Sequence, residues 1–183
     1  MLLDVGAQMG DLLERRAKHD SAIASYNKAI ALRPDKSMMY SNRGSAHYAM
    51  GHYNEAIADY TKAIDFSPQL DYRFHLNRCV VLTKSDHVEQ AMKDLVILKT
   101  CCQNIIPADL EARITDKWQL IMQGMNLRVA ADPKNPQLFY QRANLLFTCG
   151  WQKEGLADLQ MACALEPGNK QYKQALKARA PKN

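Results

Sequence analysis

The chain has no apolar run near the roughly 18 residues that a membrane-spanning helix needs. Its opening, "MLLDVGAQMG", is short and broken by Asp4, so no secretory leader and no membrane association are expected. It has no C-x-x-C pair, its five cysteines (Cys79, Cys101, Cys102, Cys149, Cys163) are odd in number, and it has no N-x-[ST] acceptor. Together these favour a reducing, cytoplasmic setting over secretion. G-x-S-x-G, a phosphate-cradling glycine loop and H-E-x-x-H are all missing, and with them the enzyme classes they mark. Acid is lacking after Glu166, while Lys170, Lys173, Lys177, Arg179 and Lys182 follow it. That tail accounts for the formal charge of +5. The rest is near neutral and leaves no electrostatic footprint for nucleic acid.

What is present is the balance of a soluble globular protein, 183 residues with 47% hydrophobic and 23% charged. Its dominant feature is internal repetition. "SAIASYNKAIALRP" (Ser21 to Pro34) laid over "EAIADYTKAIDFSP" (Glu55 to Pro68) gives eight identities in fourteen positions at an offset of 34. Gly10 falls on Gly44 at the same offset, a further copy ends in "EGLADLQMACALEP" (Glu154 to Pro167), and "QAMKDLVILKT" (Gln90 to Thr100) is a worn one. Within the best unit, Tyr40, Gly44, His47 and Tyr48 recur at helical spacing. Tyr53, Ala56, Ile57, Tyr60, Ala63 and Ile64 form a second stripe, with Gly51 and His52 between and Pro68 closing. The spacing predicts helix, short turn, helix. Gly44, Ala56 and Ala63 are small where two helices must approach to about 8–10 Å.

The length of the unit, its Gly, Tyr, Ala, Tyr, Ala, Pro order and the helix pairing resemble the tetratricopeptide repeat family, over 3–70 and 136–168 most closely, over 71–103 less so, and over 104–135 least. The resemblance implies an all-α, right-handed superhelical solenoid of antiparallel helix pairs whose first helices line a concave groove, and a non-catalytic role in holding another protein. Repeats are expected at about 3–36, 37–70 and 71–103 within 1–103, and another in 136–183 followed by a basic capping helix.

Residues 104–135 break the pattern. Leu110, Ile114, Trp118, Ile121, Met125 and Val129 step by three and four without interruption, and Pro107 with Asp109 and Glu111 marks a helix start. This predicts one long helix over 107–131, about 24 residues and roughly 36 Å. The alternative is a degenerate repeat turning at Gly124.

Counting from each unit start, the sixth residue is Gln8, Asn42, Asn77 and Gln141, an amide every time, followed by Met9, Arg43, Arg78 and Arg142. An amide offers a donor and an acceptor, so a row of them can pair with the backbone of an extended peptide. This resembles the asparagine ladder of the family; the alternative is a set of solvated polar residues. The arginines would support an acidic ligand if they reach the groove, or else pack along a neighbouring helix. The family's two-carboxylate clamp for chaperone C-termini carries over only at Asn42 and, as Arg for Lys, at Arg73. Ala7, Asp11 and Asn77 stand where its other members should be, and Asp11 would repel a carboxylate.

His75 and Cys79, one turn apart, lack two further metal ligands, so a packed pair is expected and neither metal nor cofactor is implied. Asp59, Asp65, Asp94 and Asp158 on second helices are expected at a solvated surface. The reading is an adaptor binding a peptide or helix of another protein. The competing reading is a homodimeric scaffold assembled through Trp118 and Met125 on 107–131.

Overall fold

The computed structural model describes residues 2–180, with side chains for 13–102 and 104–180. All regular structure among them is helical: α1 (Leu2–Leu32), α2 (Ser37–Ala49), α3 (Tyr53–Asp65), α4 (Tyr72–Lys84), α5 (Val88–Cys101), a single 3-10 turn (Gln103–Ile105), α6 (Ala108–Ala131), α7 (Pro136–Thr148), α8 (Gln152–Leu165) and α9 (Lys170–Arg179). None is long and apolar enough to cross a membrane. The chain forms two compact units, one of Met1–His87 with Ile97–Ile106 and the other of Val88–Val96 with Pro107–Asn183.

The hairpins are set by their turns. Gly51, Asp86 and Gly150 take φ of 77°, 64° and 78°, the left-handed region in which a helix closes on a glycine or a short polar residue. One residue on, the same long-range bond recurs. The N–H of His52 donates to the Tyr48-side turn at His47 O (2.9 Å), His87 to Leu82 O (2.8 Å) and Trp151 to Leu146 O (3.0 Å). Ala17 lies 34 residues before Gly51, and a Cβ-bearing residue without a polar side chain pays to enter that region. There the expected turn of unit 3–36 does not form, and α1 runs on as one helix of 31 residues.

In the first unit Tyr40, Ala63 and Phe74 form one buried cluster with Ile30 and Ile64 against it. Ala56, Tyr60 and Val81 form another with Tyr48, Tyr53 and Ile57. At Gly44 α2 comes close to α3: a Cβ added there would stand 3.2 Å from Asp59 Cβ and 3.3 Å from Tyr60 Cε1. Tyr60 fills the adjoining space, its ring buried and its hydroxyl 3.0 Å from Ser45 Oγ.

In the second unit α6 is unbroken over 24 residues, through Gly124, which lies exposed with open space around it. A lone glycine costs a helix about 1 kcal/mol, less than its stripe of buried Leu110, Ile114, Trp118, Met122, Met125 and Val129 supplies. The stripe differs from expectation in one member, since Met122 is buried and Ile121 is not. It also corrects the expected assembly surface. Trp118 (3% exposed) and Met125 (9%) face inward, and the large apolar side chains that α6 leaves in solvent are Leu120, Ile121 and Leu127.

The end of the chain is closed by α9. Asn169 caps it by accepting from the N–H groups of Gln171 and Tyr172. Tyr172 is buried with Val129, Leu138, Phe139 and Ala162, and its hydroxyl donates to Gln137 Oε1 at 2.8 Å. Ala175 and Leu176 cover Ala143, Phe147 and Leu159, while the helix turns its lysines outward.

Candidate functional site

The residues of the amide row and the arginines that follow them have separate fates. Arg43 projects from α2 toward α3, where its Nε and Nη2 donate to the two carboxylate oxygens of Asp59 at 2.8 Å and 2.5 Å. Its Nη1 donates to Asn27 Oδ1 on α1 at 2.6 Å. In the second unit Arg142 on α7 repeats the arrangement, with Asp158 of α8 at 2.7 Å on both oxygens and Asn126 of α6 at 3.2 Å. Each arginine stands sixteen residues after its asparagine and sixteen before its aspartate. Each fork thereby staples three consecutive helices, α1 to α3 in the first unit and α6 to α8 in the second. The hydrogen bonds that Arg43 and Arg142 donate to Asp59 and Asp158 hold these guanidinium groups even more firmly protonated than usual, against the opposing effect of burial.

Asp59 and Asp158 are therefore not surface groups. With Asp94 they are among the buried polar residues of the chain, whereas Asp65 is exposed as expected. The physical reason is that a carboxylate enters a protein interior when a planar two-pronged donor meets both its oxygens. Arg78 follows the series at one end, donating from Nη1 to Thr61 Oγ1 at 3.0 Å, and Thr61 lies 34 residues after Asn27. Asp94 lies sixteen residues after Arg78. The signal was present in the sequence as this spacing, which a residue-by-residue comparison of first helices passes over.

Arg73 is likewise engaged. Its Nε and Nη2 donate to Asp71, the residue that caps α4, at 2.9 Å and 2.6 Å. The bonds from Arg73 hold the Asp71 carboxyl below the usual carboxylate range.

The amides are not engaged. Asn42 is exposed on α2 and Asn77 half-buried on α4, on two first helices of the same unit, and neither bonds another described residue. Gln141 on α7 is half-buried, and its Oε1 is buried without a partner. Gln8, with Ala7 and Asp11 of the clamp comparison, lies outside the residues whose side chains are described. Beside Arg43, His47 holds Nε2 3.9 Å from Asp59 Oδ2 and leaves Nδ1 buried and unpaired. His75 and Cys79 are both buried in α4, and no three metal-ligating side chains gather among the described residues.

Antiparallel helix pairs with glycine-closed turns and a recurring inter-helix fork define a helical-repeat protein. Residues 38–70 match the family model described as tetratricopeptide repeat and residues 10–51 one described as TPR repeat. Over residues 10–70 the chain is thus similar to the tetratricopeptide repeat family. It is 36% identical over 81 residues to protein unc-45 homolog B of Xenopus tropicalis, a stretch that is 43% of this chain and 9% of that one. It is 37% identical over 49 residues to Hsp70-Hsp90 organizing protein 2 of Arabidopsis thaliana, 27% of this chain and 9% of that protein. The chain thus spans about a tenth of the length of these relatives. Among solved structures, YrrB, a TPR protein with an unusual peptide-binding site, superposes over 93% of this chain and 89% of its own at 18% identity and a TM-score of 0.49.

Proposed function

We propose that this chain is a non-catalytic module that holds an extended segment of a partner protein, using in the first unit the amides at Asn42 and Asn77, with Gln8 at the corresponding place in α1, while Gln141 offers a like amide in the second unit taken by itself. The observation that carries the reading is the division of labour within the amide-Arg pairs. Arg43 and Arg142 are consumed by internal carboxylates, while the amides beside them are left with unused donors and acceptors. An amide pairs with main chain whatever the side chains of the ligand are, so the ligand is read by its backbone.

The arginines drop out of the ligand-binding set on this reading and act as braces for the helices that carry the amides. The chaperone-peptide alternative draws on Hsp70-Hsp90 organizing protein 2 as a relative. It is the weaker reading, because Arg73 is turned back onto Asp71 and Asn77 offers no charge. A self-assembled scaffold draws on the exposed Leu120 and Leu127 of α6, in place of Trp118 and Met125.

The test is affinity capture from native extract with wild type beside Asn42→Ala/Asn77→Ala. The double variant should recover far less of the captured protein while its thermal unfolding stays within about 1 °C, because neither side chain supports the fold. Unchanged capture would dispose of the ladder, and light scattering that gives a stable dimer would favour the scaffold.

A further inference from the structure

We infer that the first unit carries a second docking site, a basic cleft for an acidic peptide segment with an apolar side chain in it. The cleft has a volume of about 750 Å³ and is lined by Leu13, Arg15, Arg16 and His19 of α1 and by Ala49, Met50 and His52 at the end of α2 and its turn. It exists because α1 does not turn. Where a regular unit would fold back at the position of Ala17, the helix continues and presents Arg15, Arg16 and His19, spaced three and four apart, on one arc opposite the Gly51 turn.

The charges point to the occupant. Two arginines and two histidines line the cleft, and no carboxylate is among its described lining residues. Among the described side chains of α1 the acids nearby are Glu14, which Lys18 holds at 2.7 Å, and Asp20, which lies outside the lining; Asp11, one turn before Arg15, is not among them. In contrast to Arg43 and Arg142, neither Arg15 nor Arg16 is paired with any described residue. Two forks of donors next to each other, neither taken up by a described residue, suit carboxylate oxygens. The rest of the wall is Leu13, more than half exposed, with Ala49 and Met50. That combination suits a segment in which carboxylates flank an apolar residue, the methionine adapting to its shape. A free inorganic anion would leave the apolar half of the wall in water. No residue is shared with the amide positions, so this site stands whether or not the ladder does.

The probe is a fluorescein-labelled Glu-Glu-Leu-Glu-Glu peptide blocked at both ends, so that only its side chains carry charge, titrated by anisotropy into the full chain. The control is Gln-Gln-Leu-Gln-Gln. The acidic peptide should bind and the control should not. Arg15→Gln/Arg16→Gln should weaken binding about tenfold or more, with unchanged helicity because both side chains are exposed. Asn42→Ala/Asn77→Ala should leave this affinity unchanged. Equal binding of the two peptides, no binding of either, or wild-type affinity in the Arg15/Arg16 variant would overturn the site. Loss of binding in Lys173→Gln/Lys177→Gln alone would overturn it too, by assigning the peptide to α9.

Discussion

Arg43 and Asp59 meet through both prongs of the guanidinium and both oxygens of the carboxylate, with the aspartate 5% and the arginine 18% exposed at the side chain. Removing one partner of such a pair strands the other in a poorly solvated place, and buried pairs broken this way lose roughly 3–5 kcal/mol. Because Arg43 keeps some contact with water, Asp59→Ala should cost about 3 kcal/mol in urea unfolding. Arg43→Met/Asp59→Leu should cost less than that single change. A larger loss in the double variant would refute the pairing as the source of the effect.

Two of the helical glycines, Gly44 and Gly124, have opposite settings and give a contrast. Gly44→Ala places a Cβ against Asp59 and Tyr60, where both neighbours are buried, and should destabilise by about 1–3 kcal/mol. Gly124→Ala meets nothing within 4 Å and should stabilise α6 by about 0.5–1 kcal/mol. Thermal melts of the two variants should move in opposite directions.

Asp71 caps α4, so Asp71→Ala should lose roughly 0.5–2 kcal/mol at neutral pH. Its carboxyl titrates lower in the folded chain than in the unfolded one, held down chiefly by Arg73. That part of the stability is therefore complete above the ordinary carboxylate range and is lost as pH falls through and below it. The gap between wild type and variant should narrow on acidification from pH 5 to pH 2, followed by urea midpoints. A gap that widens would contradict the assigned contact.

Among the thiols, Cys149 is pushed up to about 11 by burial, with the Trp118 indole acting weakly the other way. Cys79 is fully buried, and Cys101 is exposed. Alkylation at pH 8 followed by mass spectrometry should label Cys101 in the native chain and leave Cys79 and Cys149 unlabelled until denaturant is added.

These features were unequally legible in the sequence. The helix pairs from α2 to α5 and α7 to α8 follow from the stripes and from Gly51 and Gly150, because local periodicity and turn chemistry agree there. The continuity of α6 was readable in the stepping of its apolar residues, since one glycine cannot outweigh six buried side chains. The missing turn in α1 turns on a single identity, Ala17 in a place that needs positive φ. The comparison that located the repeat, residues 21–34 over 55–68, starts beyond it. Burial of Asp59 and Asp158 was not legible from their own neighbourhoods. A carboxylate's setting is decided by what reaches it from another helix, and those donors lie sixteen residues away. Trp118 was misplaced for a related reason: an apolar stripe says that a face is covered, and not by what.

The two forks, Asn27–Arg43–Asp59 and Asn126–Arg142–Asp158, are chemically interchangeable and so carry no address. Nothing in the ion pairs tells α2 to choose α3 over the α8 of another copy. That choice falls to the three residues 50–52, whose brevity keeps the closing entropy small. A long flexible insertion at Gly51 would leave every contact intact and still invite strands of identity to cross between molecules, as exchanged hairpins. The tight turn is thus the element that makes a repetitive sequence fold as one individual.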